Sequence, residues 1–451
     1  MKKTVYRTMG LHLVTYRYPE WIGGSLKAVG FAFLVLLQQV VYGQSFPPPQ
    51  EFKLAISPSK AGFNAERLAR LDAWFQAFID SGKAPNAVAF VARKGQVVYH
   101  KSFGFSNREG GNPCKTDAIF RIASQTKAIA TVALMTFYEE GKFLLDDPIS
   151  KYIPAFLNPV VLVRYDTAHP ETGPYETRPA RSPVTIRQLL SHTAGIPYGH
   201  PLENRPEFSI PYLNSMKPDR LEEVINKLAK RPLIADPGEG FVYGLNTDVI
   251  GRLIEVISGQ PLDKVIHDRV LKPLGMKDSY FYLPGEKHSR LVELYSKERA
   301  EDKLVRHKND TFRLYPVAGA QTYLSAGAGM VSTAEDYARF CQMLLNGGSF
   351  NNQRVLSRKT IELMLRNQIG AAEVWDRKDK FGLGFQLITE GSHYADQASP
   401  GSFTWGGAYC SEYTIDPKED LILLVFTNVH PYAHYGEFVR KFRMLVYQAL
   451  L

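Results

Sequence analysis

The sequence predicts an α+β fold in which one antiparallel sheet, flanked by helices, is built from both chain ends and carries an inserted, mainly helical part. Two β-rich runs joined by a short turn follow residue 86, and two more occupy residues 402–427 near the C-terminus. Helical patterns dominate the residues between them. Strands at both ends with helices in the middle favour one sheet closed by the two ends of the chain.

The first 43 residues are predicted to be a signal peptide, and residues 44–60 a linker that begins with a proline-rich stretch. Basic residues precede an apolar run from Ala28 to Val41, and Gly43 offers a small-residue cleavage site. The run is short and interrupted by two glutamines, so a bilayer span is disfavoured. We therefore expect export to the periplasm or the exterior, with a membrane partner only if the segment stays uncleaved.

One domain is predicted over residues 61–451, and its α/β part over about 61–140 and 315–451. Asn64 can cap an amphipathic helix that ends at Gly82. Its apolar stripe consists of Leu68, Leu71, Phe75 and Phe78. The next two β-rich runs, 87–93 and 96–103, are separated by Lys94 and Gly95, which predicts a hairpin.

An almost wholly apolar run over residues 128–138 follows the tetrapeptide from Ser124 to Lys127. The run predicts a helix buried on nearly every face and ended by Gly141. A spacing of three residues places the serine and the lysine one helical turn apart, as a nucleophile and its base require. A second Ser-x-x-Lys tetrapeptide, at residues 57–60, lies in a polar segment that is predicted to be a loop.

Residues 141–314 are predicted to form the mainly helical part. Two stretches of weak periodicity, 157–184 and 196–218, are predicted to be long loops that wall a pocket. They bracket a short helical pattern that ends before Ser191. The other helices of this part are predicted over 221–230, 247–257 and 261–270.

Residues 315–451 are predicted to return to the α/β part. Ser332 and Glu335 have the spacing of a capping box at the start of a helix. The predicted elements are helices over 337–345, 358–365 and about 437–450, and β-rich segments over 402–415 and 421–427.

Composition excludes several classes of protein. The formal net charge of the 451 residues is +9, but lysines and arginines are scattered, so nucleic-acid binding is not expected. The three cysteines cannot all pair, and Cys341, on an apolar helix face, is expected to be buried. His430 and His434 flank a proline that breaks the helix such a metal pair needs. Neither a metal site nor a cofactor is predicted, and the oligomeric state stays open.

Two further segments carry groups suited to catalysis. Tyr243 lies in a glycine-bounded turn, where a tyrosine beside a lysine can serve as a general base. The segment Trp405–Ala408 enters a strand, and its glycines allow the Ala408 N–H to approach a bound carbonyl oxygen. His192 follows a helix among hydroxyl residues and is expected to be structural.

Together these motifs resemble the serine β-lactamase-related hydrolases, most closely the family VIII carboxylesterases related to class C β-lactamases. The shared order is Ser-x-x-Lys, a tyrosine turn and Trp-Gly-Gly on a late strand. The stretches GKFLLDDPISKYIP, VTIRQLLSHTAGI, GAGMVSTAEDYARFCQMLLNGG and WGGAYCSEYTIDP are also similar. The resemblance covers about Asn64 to the C-terminus and implies a β-lactamase/transpeptidase-like fold with the site between its two parts.

The resemblance also implies roles for individual residues. Ser124 would be the acylated nucleophile, Lys127 its activating partner and Tyr243 the proton shuttle. The backbone N–H groups of Ser124 and Ala408 would form the oxyanion hole. The substrate-binding positions would be Trp405, Gly406, Gly407, Leu245 and Asn246.

Two departures from the family pattern bear on the substrate. Leu245 occupies the position where class C β-lactamases carry an asparagine, and Asn246 comes one residue later. The Trp-Gly-Gly motif at Trp405 replaces Lys-Thr-Gly, which removes a cation that would face a substrate carboxylate. The sequence therefore favours a secreted serine hydrolase of small, uncharged acyl esters. A β-lactamase or D-amino-acid peptidase, acyl transfer to an alcohol and an envelope-associated binding protein without turnover are the alternatives.

Overall fold

The central sheet joins residues from both ends of the chain, as predicted. The computed structural model describes residues 52–211, 216–393 and 397–451. These residues all belong to one compact unit. The predicted signal peptide, residues 1–43, lies outside the described residues, as does the first part of the predicted linker, residues 44–51.

The N-terminal elements follow the predicted helix, hairpin and helix. They are β1 (Lys53–Leu54), α1 (Ala65–Asp80), β2 (Asn86–Arg93), β3 (Gln96–Asn107), β4 (Asn112–Pro113), β5 (Phe120–Arg121) and α2 (Thr126–Glu139). The Asn64 side chain accepts a hydrogen bond from the Arg67 N–H at 2.9 Å and caps α1. Residues 126–137 of α2 are all buried, so the helix is enclosed on nearly every face as predicted.

The middle of the chain contains more helix than strand, and it includes a hairpin that the sequence did not predict. Its elements are β6 (Val160–Tyr165), β7 (Tyr175–Pro179), α3 (Ile186–Leu190), α4 (Leu221–Leu228), α5 (Asn246–Ser258), α6 (Leu262–Ile266), α7 (Lys272–Leu274), β8 (Tyr295–Lys297), β9 (Val305–Arg306) and α8 (Asp310–Leu314). Strands β6 and β7 pair within the segment 157–184, which was predicted to be a loop. The helix predicted over 261–270 continues to residue 274 through a π-helical turn, His267–Leu271.

The C-terminal elements complete the sheet. They are β10 (Val331–Ser332), α9 (Ala334–Leu345), β11 (Ser349–Phe350), β12 (Gln353–Arg354), α10 (Arg358–Met364), β13 (Lys380–Phe381), β14 (Gln386–Leu387), β15 (Phe403–Gly407), β16 (Ser411–Asp416), β17 (Leu421–Phe426), β18 (Val429–Tyr432) and α11 (Tyr435–Tyr447). The predicted capping box at Ser332 is wrong by one residue. Ser332 pairs in β10, and Thr333 caps α9 by accepting from the Asp336 N–H.

The main sheet has the strand order β1-β3-β2-β17-β16-β15-β14-β13 within the described residues, with β4 beside β3. Its pairs are antiparallel except for the short parallel contact of β1 with β3. Strand β2 is buried on both faces. Its residues Val88 and Phe90 face the core that includes α2 and α9, whereas Ala89 and Val91 face α1 and α11. The sheet is therefore the middle of three layers.

Candidate active site

Ser124 lies on a tight turn between β5 and α2. A short 3₁₀ turn over Ala123–Gln125 leads into α2, and Ala123 adopts a left-handed φ of 43°. The Tyr337 hydroxyl of α9 donates to the Gln125 carbonyl oxygen at 2.9 Å, and this hydrogen bond holds the turn against α9. Between residues 118 and 137, Ser124 is the single residue that is not buried. The turn thus presents one hydroxyl from an otherwise enclosed segment.

Lys127 reaches back from the first turn of α2 to Ser124. Its Nζ atom lies 3.3 Å from Ser124 Oγ, 2.9 Å from the Tyr198 hydroxyl and 2.8 Å from the Gly327 carbonyl oxygen. Only 2% of the residue is exposed. The three contacts hold the amine beside the serine, as the helical spacing predicted. Tyr198, which follows Pro197 in the predicted loop 196–218, was not singled out from the sequence.

The Gly327 peptide connects Lys127 to a buried acid. Asp248 Oδ1 accepts from the Ser325 hydroxyl at 2.8 Å and from the Gly327 N–H at 3.4 Å. Its Oδ2 atom is buried and has no hydrogen-bond partner among the described residues. A β-carbon at position 327 would collide with this oxygen and would lie 3.3 Å from the Tyr198 hydroxyl, so glycine is required there. Burial raises the pKa of Asp248, against the opposing effect of nearby Lys127.

The raised pKa of Asp248 predicts a pH-dependent stability. The folded protein retains this proton at pH values where the unfolded chain has lost it. Below the ordinary aspartate pKa of about 4, Asp248 is protonated in both states and the folded protein keeps its full free energy of unfolding. As the pH rises from there toward the raised pKa of Asp248, that free energy falls. Asp248→Asn cannot ionise and keeps an oxygen for Ser325 and Gly327. Relative to this variant, the wild type should lose free energy of unfolding as the pH rises above about 4.

Urea unfolding of both proteins at several pH values measures that difference. Each unit by which the pKa is raised contributes about 1.4 kcal/mol. The side-chain amide introduced by Asp248→Asn would lack an acceptor at the Oδ2 position, but that cost does not depend on pH. The prediction concerns only how the difference in free energy of unfolding between the two proteins changes with pH. A difference that stays constant across pH would contradict it.

Tyr243 lies on the other side of Lys127. The lysine Nζ is 4.8 Å from the centroid of the Tyr243 ring, and the Tyr243 hydroxyl accepts from Trp405 Nε1 at 3.2 Å. In the described part of the chain, no hydrogen bond joins the Tyr243 hydroxyl to Ser124 or Lys127. Two tyrosines therefore flank the lysine, Tyr198 through its hydroxyl and Tyr243 through its ring face.

His192 supports the Tyr243 turn. Its ring lies 4.8 Å from the Tyr243 ring, and its Nδ1 atom is 2.9 Å from the Asn246 side-chain nitrogen, which donates to it. Burial, and secondarily the charge of Lys127, hold the pKa of His192 well below its usual range. His192 is thus a neutral, enclosed group, in keeping with the structural role expected for it.

Leu245 and Asn246 differ from their predicted role in substrate binding. Both are buried, at 2% and 0% exposure, and neither lines the cavity at Ser124. The Asn246 side-chain nitrogen is within hydrogen-bond distance of His192 and of the Ile196 and Val242 carbonyl oxygens. The asparagine is one residue later than in class C β-lactamases, and here it opens α5 and ties neighbouring loops together instead of facing a ligand.

Strand β15 brings a second backbone N–H to the nucleophile. A β-carbon at Gly407 would collide with the Ile122 carbonyl oxygen, so the absence of a side chain allows the strand to approach the turn that carries Ser124. The N–H groups of Ser124 and Ala408 donate to no other group in the described residues. Both residues line one cavity. The two predicted oxyanion donors are therefore available to a bound carbonyl oxygen.

The cavity has a volume of about 350 Å³, which suits a small organic ligand. Its walls include Ser124, Tyr243 and the predicted segment Trp405–Ala408. Trp375 stacks on Trp405 with 5.2 Å between ring centroids and closes one side. The charged residues that line it are Arg377 and Glu412. Glu412 lies in the stretch WGGAYCSEYTIDP, but neither residue was predicted to belong to the site.

Other predicted features can also be located. Cys114, Cys341 and Cys410 are buried free thiols. Residues 52–211, 216–393 and 397–451 contain no cluster of His, Cys, Asp or Glu side chains that could hold a metal ion. Over those same ranges, no helix is both long enough and apolar enough to cross a bilayer.

Comparison with known proteins adds to this geometry. The profile of the Beta-lactamase family matches residues 71–448. An uncharacterized protein of Mycobacterium tuberculosis is 33% identical over 361 residues, which cover 76% of this chain and 86% of that protein. Esterase EstB of Burkholderia gladioli is 29% identical over 390 residues, covering 83% and 94%. The solved structure of EstCE1, a hydrolase with promiscuous acyltransferase activity, is 30% identical, with a TM-score of 0.72 and coverage of 85% and 99%.

Proposed function

The chain belongs to the Beta-lactamase family and is a serine hydrolase of α+β fold, and from this premise we propose that it cleaves small acyl esters through an acyl-enzyme on Ser124. The observation that carries the proposal is the 3.3 Å approach of Lys127 Nζ to the one accessible hydroxyl of the buried segment. The similarity to Esterase EstB supports an ester as the substrate.

Acylation follows from the contacts of Ser124. Lys127 takes the proton as Oγ attacks the acyl carbonyl carbon. The N–H groups of Ser124 and Ala408 stabilise the negative charge that develops on the carbonyl oxygen. Tyr243 faces the cavity and returns a proton to the departing alcohol. The C–O bond to the alcohol breaks, and the acyl group remains on Ser124.

Deacylation uses the same groups in reverse. A water enters the place of the alcohol, gives its proton to the Tyr243 and Lys127 pair, and attacks the acyl carbon. The bond to Oγ then breaks, Oγ takes its proton back from Lys127, and the acid is released with the serine restored. The sequence of steps requires no cofactor.

Acyl transfer is a second candidate function because EstCE1, a neighbour in both sequence and fold, is described as having that activity. An alcohol would take the place of water in the second step. We also propose that the protein is exported, on the strength of the basic and apolar N-terminal residues. Detection of the mature protein in periplasmic or culture fractions, with a new N-terminus near residue 44, tests this.

The deciding experiment compares a short-chain nitrophenyl ester with a chromogenic cephalosporin. Turnover of the ester alone supports the proposal, whereas efficient turnover of the cephalosporin would place a β-lactamase first. Added short alcohols should divert acyl groups to new esters if acyl transfer competes with hydrolysis. A lack of turnover of all substrates would leave the binding protein as the remaining function.

Gly407→Ala is expected to lower kcat by about 10²–10³, the usual effect of losing one oxyanion donor. The new methyl group would collide with the Ile122 carbonyl oxygen and push the strand, with the Ala408 N–H, away from Ser124. Gly285→Ala is the control, since its β-carbon would meet open space. Both variants are checked for folding by thermal unfolding. A folded Gly407→Ala enzyme with near-normal kcat would contradict this account of the oxyanion hole.

A further inference from the structure

Arg121 is a buried arginine, and among the described residues no carboxylate forms an ion pair with it. It lies in β5, three residues before Ser124, and only 2% of it is exposed. Its Nη1 atom donates to the Val292 carbonyl oxygen at 2.8 Å and lies 3.4 Å from Asn428 Oδ1. Its Nη2 atom donates to the Arg313 carbonyl oxygen. These acceptors are all neutral, so they satisfy N–H groups but leave the positive charge without a counter-charge.

The acid with the largest effect on Arg121 is Glu293, and it is already engaged. Its carboxylate pairs with Arg306 at 2.6 Å and with Arg313 at 2.9 Å. Burial lowers the pKa of Arg121 because the charged form is poorly solvated there, but an arginine stays protonated in proteins. The interior beside the nucleophile turn therefore holds a positive charge that calls for an anion.

Two buried tyrosine hydroxyls lie in the same part of the interior. Tyr315 and Tyr409 pack in one cluster with Ala123 and Leu294, and they are 1% and 2% exposed. In the part of the chain that the structure describes, neither hydroxyl has a hydrogen-bond partner, and the Arg121 Nε atom has none either. Three donors are therefore left without an acceptor, although buried polar groups are nearly always hydrogen-bonded.

Backbone contacts place both tyrosines near Arg121. The carbonyl group that accepts from Arg121 Nη2 belongs to Arg313, two residues before Tyr315. Asn428 accepts from the Arg121 N–H at 3.0 Å, and the residue after it donates its N–H to the Tyr409 carbonyl oxygen. Burial raises the pKa of both hydroxyls, and the charge of Arg121 opposes the rise in each. Both tyrosines are thus neutral donors within the electrostatic reach of the guanidinium.

We propose that Arg121, Tyr315 and Tyr409 bind a small monovalent anion, with chloride as the physiological ligand. The anion accepts from the Arg121 Nε–H and from both hydroxyls, so it supplies the missing acceptors and the counter-charge together. Because all three residues are almost completely buried, the ligand is an inorganic ion and not an organic acid. One guanidinium matches one negative charge. A water molecule can accept the same hydrogen bonds, but it leaves the charge unpaired.

The position of this anion site relates it to the two predicted oxyanion donors. Ala123 precedes Ser124, and Tyr409 follows Ala408. Ala123 and Tyr409 belong to the same cluster, so the anion would fasten the two segments that carry the N–H groups. The inference concerns binding in the interior, and it holds whether or not the protein cleaves esters.

Thermal unfolding in different anions tests the site. The wild type is heated in sodium gluconate and in mixtures with sodium chloride or bromide at constant ionic strength, which holds general screening fixed. Gluconate is too large for an enclosed site. Tyr315→Phe and Tyr409→Phe each remove one hydroxyl and keep the ring. Tyr99→Phe is the matched control, because the buried Tyr99 packs in a different cluster and its hydroxyl donates to Asp72.

We expect about 100 mM halide to raise the Tm of the wild type and of Tyr99→Phe by about 2 °C, as a ligand that binds only the folded state does. The rise should be smaller or absent in both Tyr315→Phe and Tyr409→Phe. No halide-specific rise in the wild type, or an undiminished rise in either of these two variants, would overturn the inference.

Bromide soaking locates the ion without any substitution. Crystals of the wild type grown without halide and soaked in sodium bromide should show an anomalous difference peak within hydrogen-bond distance of Arg121 Nε and of both hydroxyls. An ordered water without anomalous signal at this position, or bromide peaks only elsewhere, would contradict the anion site.

Discussion

Replacing Ser124 with alanine is expected to lower kcat/KM for a short-chain nitrophenyl ester by about 10⁴-fold or more and to abolish covalent labelling by a fluorophosphonate. Without Oγ no acyl-enzyme can form. The two N–H donors and the cavity would remain, and they account for any residual rate over water. Labelling followed by mass spectrometry of the peptide that contains residue 124 measures the adduct directly.

The chain contains its own control for this prediction. Ser57→Ala removes the serine of the second Ser-x-x-Lys tetrapeptide, which the structure places on a 3₁₀ turn over Pro58–Ala61, with Lys60 exposed to solvent. That variant should keep full activity and full labelling. Retention of the adduct in Ser124→Ala, or its loss in Ser57→Ala, would show that the nucleophile has been assigned to the wrong serine.

Tyr243→Phe is expected to reduce kcat by about 10²–10⁴, the range for loss of a general acid or base. Tyr198→Phe should have the smaller effect, about 10-fold to 100-fold, because it removes one hydrogen bond to Lys127. The effects differ because Tyr243 lines the cavity, where it can exchange a proton with the substrate. The Tyr198 hydroxyl contacts Lys127 and only positions the lysine. Steady-state kinetics of the two variants across pH measures both effects.

The paired design decides which tyrosine carries the proton. Both substitutions remove one hydroxyl and keep the ring, so differences in packing are small. If Tyr198→Phe lost the greater part of kcat while Tyr243→Phe stayed active, the shuttle would be Tyr198, and Tyr243 would serve as a wall beside Lys127. A Trp405→Phe variant adds a check, because it removes the indole N–H that donates a hydrogen bond to the Tyr243 hydroxyl.

The contact of Ser124 with Lys127 could be predicted because it is local. Both residues lie within one helical turn, so their spacing in the sequence fixes their spacing in the structure. Tyr198 and Gly327 join the same amine from distant positions, and no periodicity relates them to residue 127. Their contribution depends on how two separate loops pack against α2, and no short sequence pattern encodes that packing.

The same distinction explains the elements that were missed. Strands β6 and β7 pair mainly with each other at the surface, so they lack the buried alternation that identifies a strand. Arg377 lies in a charged loop that is typical of solvated surface, and only the folded structure shows that it lines the cavity. Asn246 was assigned to the site by analogy with a motif, and a shift of one residue turned its side chain into the interior.

The pairing of β17 with β2 has a consequence for how the protein is made. Phe426 lies opposite Val88, so the two halves of the sheet can meet only after the residues of β17 have left the ribosome. Contacts so distant in sequence form slowly, because a very long loop must close first. Until then the turn at Ser124 lacks the strand that supplies the Ala408 N–H. We therefore expect the nascent chain to lack a complete oxyanion hole until β15 has joined the sheet.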